Sequence, residues 1–195
     1  MHLSLIVAVD ENGGIGINGD QPAFISEDLR RFKKLTTGNT IVMGRKTFEA
    51  LPKGALPNRR NIVITRQKDF SPPGCEVIHS GEELYEVCRP EEKVFVIGGG
   101  EVYKLFFSDA TRIYLTLIHY KFPSIDTWFP PIKEDETSMA KIVTKEHECN
   151  QSCEFHSTND LSKLYTNEWV VERSEGPYND EKSGFSYSYI NYVRR

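Results

Sequence analysis

The chain has 195 residues, which at about 150 residues per domain points to one compact unit. Lys and Arg number 24 against 28 Asp and Glu, a net charge of −4, so there is no cationic surplus for a phosphate backbone and nucleic acid is not expected as a partner. Hydrophobic residues at 38% and aromatics at 11% suffice, in a chain this long, to close a core without disulfides, which excludes disorder throughout.

Residues 3–9 form a continuous apolar run that reads as a buried strand, and it feeds a glycine-rich loop carrying Gly13, Gly14, Gly16 and Gly19. No apolar run approaches the ~18 residues needed to cross a bilayer, and no cationic stretch precedes an apolar segment of signal length. Neither a membrane span nor a secretory signal is therefore expected, and a cytoplasmic location is the default. Four scattered cysteines, at 75, 88, 149 and 153, agree with a reducing compartment.

Ser26 offers an N-cap, Glu27 and Asp28 follow in the first turn, and Leu29, Phe32 and Leu35 keep helical spacing, which predicts a helix over about 26–37. Adjacent residues on a helix cannot share a face. Asp28 falls on the apolar stripe with Phe32 and Leu35, whereas Glu27 falls with Arg30 and Arg31 on the face assigned to solvent. A carboxylate facing an apolar pocket is costly unless paired, so Asp28 is either bonded within the protein or the partner of a ligand with donor groups.

Residues 40–43 read as a buried strand, and Gly44-Arg45-Lys46-Thr47 turns it into a second, brief helix. Two cations at a helix start oppose the helix dipole, a conflict relieved by an anion or by water. Arg59 and Arg60 precede the strand over 61–65; one of them could clamp a carboxylate with two parallel bonds, or both could belong to a solvated turn. Thr65-Arg66 closes that strand with another hydroxyl and cation, and a shorter strand follows over 76–79. Two strand ends with cations suit a dinucleotide bearing an extra phosphate.

Ser80 opens a helical pattern through Leu84, Tyr85, Val87 and Cys88, and residues 93–97 form a strand that runs into Gly98-Gly99-Gly100 and a helix with Val102, Tyr103, Leu105 and Phe106. Such a glycine junction admits a phosphate to backbone N–H groups, although it also serves as a plain tight turn. Strand character resumes over 112–120. The chain closes with 169–172 and 187–193, an antiparallel hairpin whose turn signals are Gly176, Pro177, Asn179, Asp180 and Gly184. Strands alternating with helices indicate an α/β fold with a largely parallel sheet. Residues 134–167, charged and rich in Ser, Thr and Asn, read as a surface insertion; His147, Cys149, Cys153 and His156 cluster there without the distant second half of a zinc set, so no metal is expected.

Taken in order, these pieces resemble the dihydrofolate reductase family over roughly 1–133 and 168–195. The resemblance rests on Ile6 and Ala8, Ile15-Gly16, Pro22, Asp28-Leu29-x-x-Phe32-Lys33, Val42-Met43-Gly44-Arg45-Lys46-Thr47-Phe48 and Leu56-Pro57-x-Arg59-x-Asn61. It continues with Val96-Ile97-Gly98-Gly99-Gly100-x-Val102-Tyr103, Leu115-Thr116, Asp126-Thr127-x-Phe129-Pro130 and Tyr189. The family implies a three-layer fold around an eight-stranded sheet, seven strands parallel and one antiparallel, as a single domain over 1–195 with its insertion at about 134–167. It implies reduction of 7,8-dihydrofolate to 5,6,7,8-tetrahydrofolate by NADPH in a cytoplasmic monomer, in support of one-carbon metabolism.

By the same resemblance Asp28 holds the pterin and Thr116 bonds that acid, while Ile6, Ala8, Leu29, Phe32, Leu51, Leu56 and Ile97 line the substrate and Arg59 takes its glutamate α-carboxylate. Ala8, Ile15, Gly16 and Asp20 meet the nicotinamide side. Arg45, Thr65 and Arg66 hold the 2′-phosphate, Lys46, Thr47, Gly99, Gly100, Glu101 and Val102 the pyrophosphate, His79 lies near the adenine, and Gly44, Gly98 and Tyr103 also belong to the cofactor site. The Gly98–Gly99 peptide is expected to be cis. Ala23 departs from the tryptophan usual after Pro22, and Phe24 is the candidate to fill its space. Two alternatives remain: the pyrimidine reductase of riboflavin synthesis, which shares the glycine-rich cofactor segments, and a non-catalytic binding protein derived from a reductase.

Overall fold

The computed structural model describes residues 1–133 and 169–195; residues 134–168, with His147, Cys149, Cys153 and His156, lie outside the described residues. Its elements in chain order are β1 (His2–Val9), β2 (Gly14–Gly16), α1 (Ser26–Thr36), β3 (Thr40–Gly44), α2 (Arg45–Glu49), β4 (Arg60–Ile64) and β5 (Glu76–Ile78). Then come α3 (Gly81–Val87), β6 (Lys93–Val96), α4 (Gly100–Phe106), β7 (Arg112–Ile118), β8 (Thr127–Trp128), β9 (Trp169–Asn179) and β10 (Ser186–Arg194).

Eight strands form one sheet in the order β5-β4-β3-β6-β1-β7-β10-β9. Every pairing from β5 to β7 is parallel, β10 runs antiparallel to β7, and β9 is antiparallel to β10, so β10 alone runs against the other seven. The eight-stranded, mostly parallel α/β architecture expected from the sequence is the one observed.

Alternation along the strands sorts the side chains into two faces. Leu3, Leu5, Val7 and Val9 of β1, with Ile113 and Leu115 of β7, face a core closed by Leu84 of α3 and Val102, Tyr103 and Phe106 of α4. Ile6 joins Ile41, Met43, Val63 and Phe95 on the other face, against Phe32 and Leu35 of α1 and Phe48 of α2. Ala8 continues that second face beside Ile25, Ile118 and Tyr187. Both faces of a parallel sheet demand such cover, which is why its strands read as unbroken apolar runs.

Three local expectations are corrected. Ser26 does not cap α1: it is the first helical residue, Ile25 stands at the cap position, and the Ser26 N–H donates instead to Asp180 Oδ1 at 3.2 Å, from the β9–β10 connection. The glycine-rich stretch is not all loop, because Gly14–Gly16 pairs antiparallel with β8, and a Cβ on Gly14 would sit 2.8 Å from Ile125 Cγ1. Finally, Gly176 and Pro177 are not turn residues; β9 runs through them to Asn179, its register against β10 shifting between Tyr187 and Tyr189.

Candidate functional site

Asp28 enters the site from the first turn of α1 and meets β7. The register aligns Ala8 of β1, Thr116 of β7 and Tyr189 of β10 across three strands, so Thr116 presents its hydroxyl on the face that α1 covers. Thr116 Oγ1 donates to Asp28 Oδ1; among the described residues no hydrogen bond reaches Oδ2. Burial pushes the Asp28 carboxyl above its ordinary value, opposed by the Thr116 hydrogen bond and the charge of Arg31.

Arg31 is not on a solvated face. Its Nη1 donates to Thr116 Oγ1 at 3.2 Å, its Nη2 to Asn191 Oδ1 at 2.6 Å, and its guanidinium lies 4.3 Å from the centre of the Tyr189 ring. A helical wheel sorts residues by α1 alone and sees nothing of the β10 side chains that Arg31 meets. The signal available in the sequence was the spacing of three from Asp28, which makes the two side chains neighbours on the helix surface. Sequence reasoning missed Asn191 altogether.

Most of the remaining apolar candidates share one cluster on the sheet face that α1 covers. Ile6 is buried, and Phe32, Leu51, Leu56 and Ile97 are half-buried in the same cluster. Leu29 is 47% exposed beside Asp28, an apolar side chain turned toward open space. Ala23 packs with Ala8, Ile25 and Ile118, whereas Phe24 is 55% exposed and fills nothing, contrary to the role considered for it.

Of the two adjacent arginines, Arg60 is committed to structure: it reaches Glu76 at 2.6 Å, Glu92 at 2.9 Å and the Val87 carbonyl at 3.0 Å. Arg59 makes no ion pair among the described residues. Its Nη1 donates to Thr36 Oγ1 at 3.0 Å and its Nε to the Pro57 carbonyl at 3.1 Å, which stretches it along Phe32 at the far end of α1. Thr36 lies eight positions after Asp28, so the helix positions that carry the acid and the contact to Arg59 stand about 12 Å apart along α1.

A second group of candidates collects at the carboxyl ends of β3, β4 and β6. Gly44 N–H donates to the Gly98 carbonyl at 2.8 Å, joining two strand ends main chain to main chain. The Gly98–Gly99 peptide is cis, and Gly98 has φ +117°, a conformation open to glycine and little else. A Cβ on Gly44 would press on Val102 at 3.1 Å, while one on Gly99 would meet Thr47 Oγ1 at 3.4 Å and no other described atom within 4 Å. Val102 and Tyr103 bury their side chains in the core, and Tyr103 Oη donates to the Ile6 carbonyl at 2.7 Å. Glu101 is exposed and paired with Lys104.

Lys46 and Arg66 are exposed at the ends of β3 and β4, and His79 Nδ1 lies 2.8 Å from the Thr65 carbonyl, which draws Thr65, Arg66 and His79 into one corner. Arg45 instead pairs with Glu49 at 2.7 Å, an internal answer to the unfavourable helix dipole. Ile15 packs on the α4 side of the core, and Gly16 and Asp20 belong to the β2 segment, where Ile17 and Asp20 form a bridge. Carboxyl ends of parallel strands are where such sheets bind their ligands.

The family model described as dihydrofolate reductase matches residues 2–161. The dihydrofolate reductase of Bacillus subtilis (strain 168) is 35% identical over 193 residues, which cover 99% of this chain and 95% of that protein. That of Staphylococcus haemolyticus is 40% identical over 149 residues, covering 75% of this chain and 89% of its own. A solved structure, dihydrofolate reductase from Enterococcus faecalis complexed with NADP(H) and RAB-propyl, aligns with a TM-score of 0.76 at 31% identity, over 100% of this chain and 96% of that one.

Proposed function

This chain belongs to the dihydrofolate reductase family, and from that membership we propose that it reduces 7,8-dihydrofolate to 5,6,7,8-tetrahydrofolate with NADPH as its cofactor. The observation that carries the reading is the half-buried Asp28, held by Thr116, on the same helix as the contact that anchors Arg59 about 12 Å away. Dihydrofolate has the matching polarity: a flat heterocycle with donor groups at one end and a carboxylate at the other.

The residues present fit the cofactor as well. The Gly99 main chain, open apart from Thr47, suits a pyrophosphate, and exposed Arg66 with the Thr65 hydroxyl suits a 2′-phosphate, with Lys46 and His79 alongside. Gly44, Arg45, Glu101, Val102 and Tyr103 would lie along the same cofactor, while Ala8, Ile15, Gly16 and Asp20 would border the nicotinamide. When bound, NADPH supplies a hydride to the imine carbon of dihydrofolate; a proton adds to the imine nitrogen, so the C=N bond becomes CH–NH.

Asp28 would accept hydrogen bonds from the pterin amino group and adjacent ring nitrogen, with Ile6, Leu29, Phe32, Leu51, Leu56 and Ile97 against the rings and Arg59 on the glutamate α-carboxylate. Water would carry the proton, with the Asp28 charge raising the basicity of the ring. We place the reaction in a cytoplasmic, monomeric protein acting on a small molecule rather than on nucleic acid. Among the described residues no helix is long and apolar enough to cross a membrane.

Purified protein mixed with NADPH and dihydrofolate should lose reduced-nicotinamide absorbance only when both are present. Decay confined to a ribosylated pyrimidine would instead select the riboflavin-pathway reductase, and saturable binding without decay a non-catalytic protein.

A further inference from the structure

Arg31 is the feature that the reading above leaves unused. The side chain is held at three points: Thr116 Oγ1 on β7, Asn191 Oδ1 on β10, and the face of Tyr189. A planar guanidinium with its donors in a rigid fork is suited to bonding two strands at once, whereas a lysine would make a single point contact. In the antiparallel pairing of β7 with β10, Tyr114 stands opposite Asn191 and Thr116 opposite Tyr189. These four side chains therefore make a floor on which the guanidinium lies, one helical turn along α1 from Asp28.

The Thr116 hydroxyl is shared. It carries one proton and two acceptor lone pairs. Arg31 Nη1–H occupies a lone pair, which directs the single proton toward Asp28 Oδ1. Arg31 thus settles which way the hydroxyl points and places a positive charge behind it.

We propose that Arg31 is a positioning residue for the reduction: acting through Thr116 and by its own charge, it holds Asp28 in the ionised, ligand-accepting state and sets the net charge presented to the bound ring. The inference rests on the reductase reading of the same site.

The other titratable groups around the pair do not replace this cation. Tyr103 of α4 and Tyr187 and Tyr189 of β10 are phenols whose protons burial holds more tightly, so they are neutral near pH 7, and Tyr114 of β7 acts on Arg31 rather than on the acid. Glu175 of β9 acts on Arg31 and Glu27 of α1 on Tyr187. Among the described residues, Arg31 is the one cation that acts on Asp28, and burial pushes the carboxyl the opposite way. An opposite charge at this range moves a carboxyl by a unit or more.

The test compares wild type, Arg31→Met and Arg31→Lys in two measurements. The first is kcat/KM for dihydrofolate against pH. Removing the cation makes any proton shared between Asp28 and the ring bind more tightly, so the alkaline half-point of Arg31→Met should rise by about one pH unit, a roughly tenfold gain in relative rate on that side. Arg31→Lys, which keeps the charge, should hold the half-point near that of wild type. A purely structural role would lower rates without moving the half-point, and that result overturns the proposal. The second measurement is the titration of the Asp28 carboxyl by 13C NMR in the ligand-free protein, assigned with Asp28→Asn; it should also rise in Arg31→Met. Because it needs no turnover, an inactive wild type would end the reductase reading while the titration still decides this one: unmoved, it overturns the proposal. Should Arg31→Met not fold, Asn191→Ala, which frees the far end of the guanidinium, should raise the same titration by a smaller amount, and no movement there overturns the proposal equally.

Discussion

Replacing Asp28 with Asn tests the charge at the centre of the site while keeping the shape. Asn can still accept from Thr116 Oγ1 through its amide oxygen, so the α1–β7 contact survives and the melting temperature should change little. What disappears is one negative charge. At an effective dielectric constant of about 20, a unit charge about 5 Å from the imine nitrogen contributes about 3 kcal/mol, or some two pH units in the basicity of the ring. Arg31 remains, 3.2 Å from Thr116 Oγ1, and its uncompensated positive charge disfavours ring protonation further. The hydride step at pH 7 should therefore slow by about a hundredfold and recover by about tenfold for each unit of acidification, as solvent supplies the proton. A single-turnover experiment following the absorbance of reduced nicotinamide, from a preformed complex at several pH values, reads both quantities. A variant that binds dihydrofolate and turns over within about threefold of wild type at neutral pH would sink the argument, because the charge would then have no part in the chemistry.

Arg59→Ala removes a guanidinium already stretched along Phe32 by Thr36 and Pro57. A charge-assisted pair with a carboxylate contributes about 2 kcal/mol, so KM for dihydrofolate should rise about thirtyfold with kcat nearly unchanged; an unchanged KM removes Arg59 from the site. Arg66→Ala should raise KM for NADPH about tenfold and leave that for NADH alone, and equal effects on both would show that no 2′-phosphate is read there. Glu92 supplies a stability prediction. Burial opposes its ionisation, yet the Thr40 hydroxyl, the Arg89 N–H and Arg60 outweigh that and hold the carboxyl at about 2, below its ordinary 4.5. A depressed carboxyl stabilises the fold above its unfolded value and loses that contribution as pH falls toward the folded one. Glu92→Gln should accordingly cost about 1–2 kcal/mol at pH 7, with the gap to wild type closing between about pH 4.5 and 2 in urea unfolding; a gap independent of pH contradicts the linkage.

Much of this architecture was legible because parallel strands leave an unmistakable trace. Residues buried on both faces must be apolar throughout, and β1, β3, β4 and β6 were each readable as such, at bounds within a residue or so of those observed. Asp28 was legible for the opposite reason, as a charge on an otherwise apolar helical stripe. What escaped depended on partners distant in sequence. Nothing near Ser26 announces that its N–H is served by Asp180, 154 residues later. The pairing of Gly14–Gly16 with β8 leaves no periodicity to find, since glycine and a two-residue strand carry no pattern of burial. The composition of Gly176 and Pro177 points to a turn, whereas a strand at the sheet's edge accommodates proline, which β9 illustrates. Arg31 failed on the same ground: its surroundings are made by β10, which no local window contains.

The sheet is covered unequally, and a site exists where the cover stops. On one face α3 and α4 join Phe106, Phe107 and Trp169 in a continuous aromatic and aliphatic core. On the other, α1 and α2 leave Leu29 and Phe24 exposed at the rim, beside a face carrying Ile6, Ala8 and Thr116. Apolar walls and one carboxylate would be an unfavourable combination if that carboxylate stood alone, because the desolvation penalty of an unpaired charge exceeds what hydrophobic neighbours return. Thr116 occupies one carboxylate oxygen and Arg31 supplies a countercharge, which makes the burial tolerable and leaves the second oxygen without a hydrogen bond among the described residues. On the reductase reading, the same pairing would restrain the field at a bound ring, so the cation that permits burial of the acid would also limit how strongly the acid raises the ring's basicity. Stability of the empty site and reactivity of the filled one would then be set against each other through a single hydroxyl.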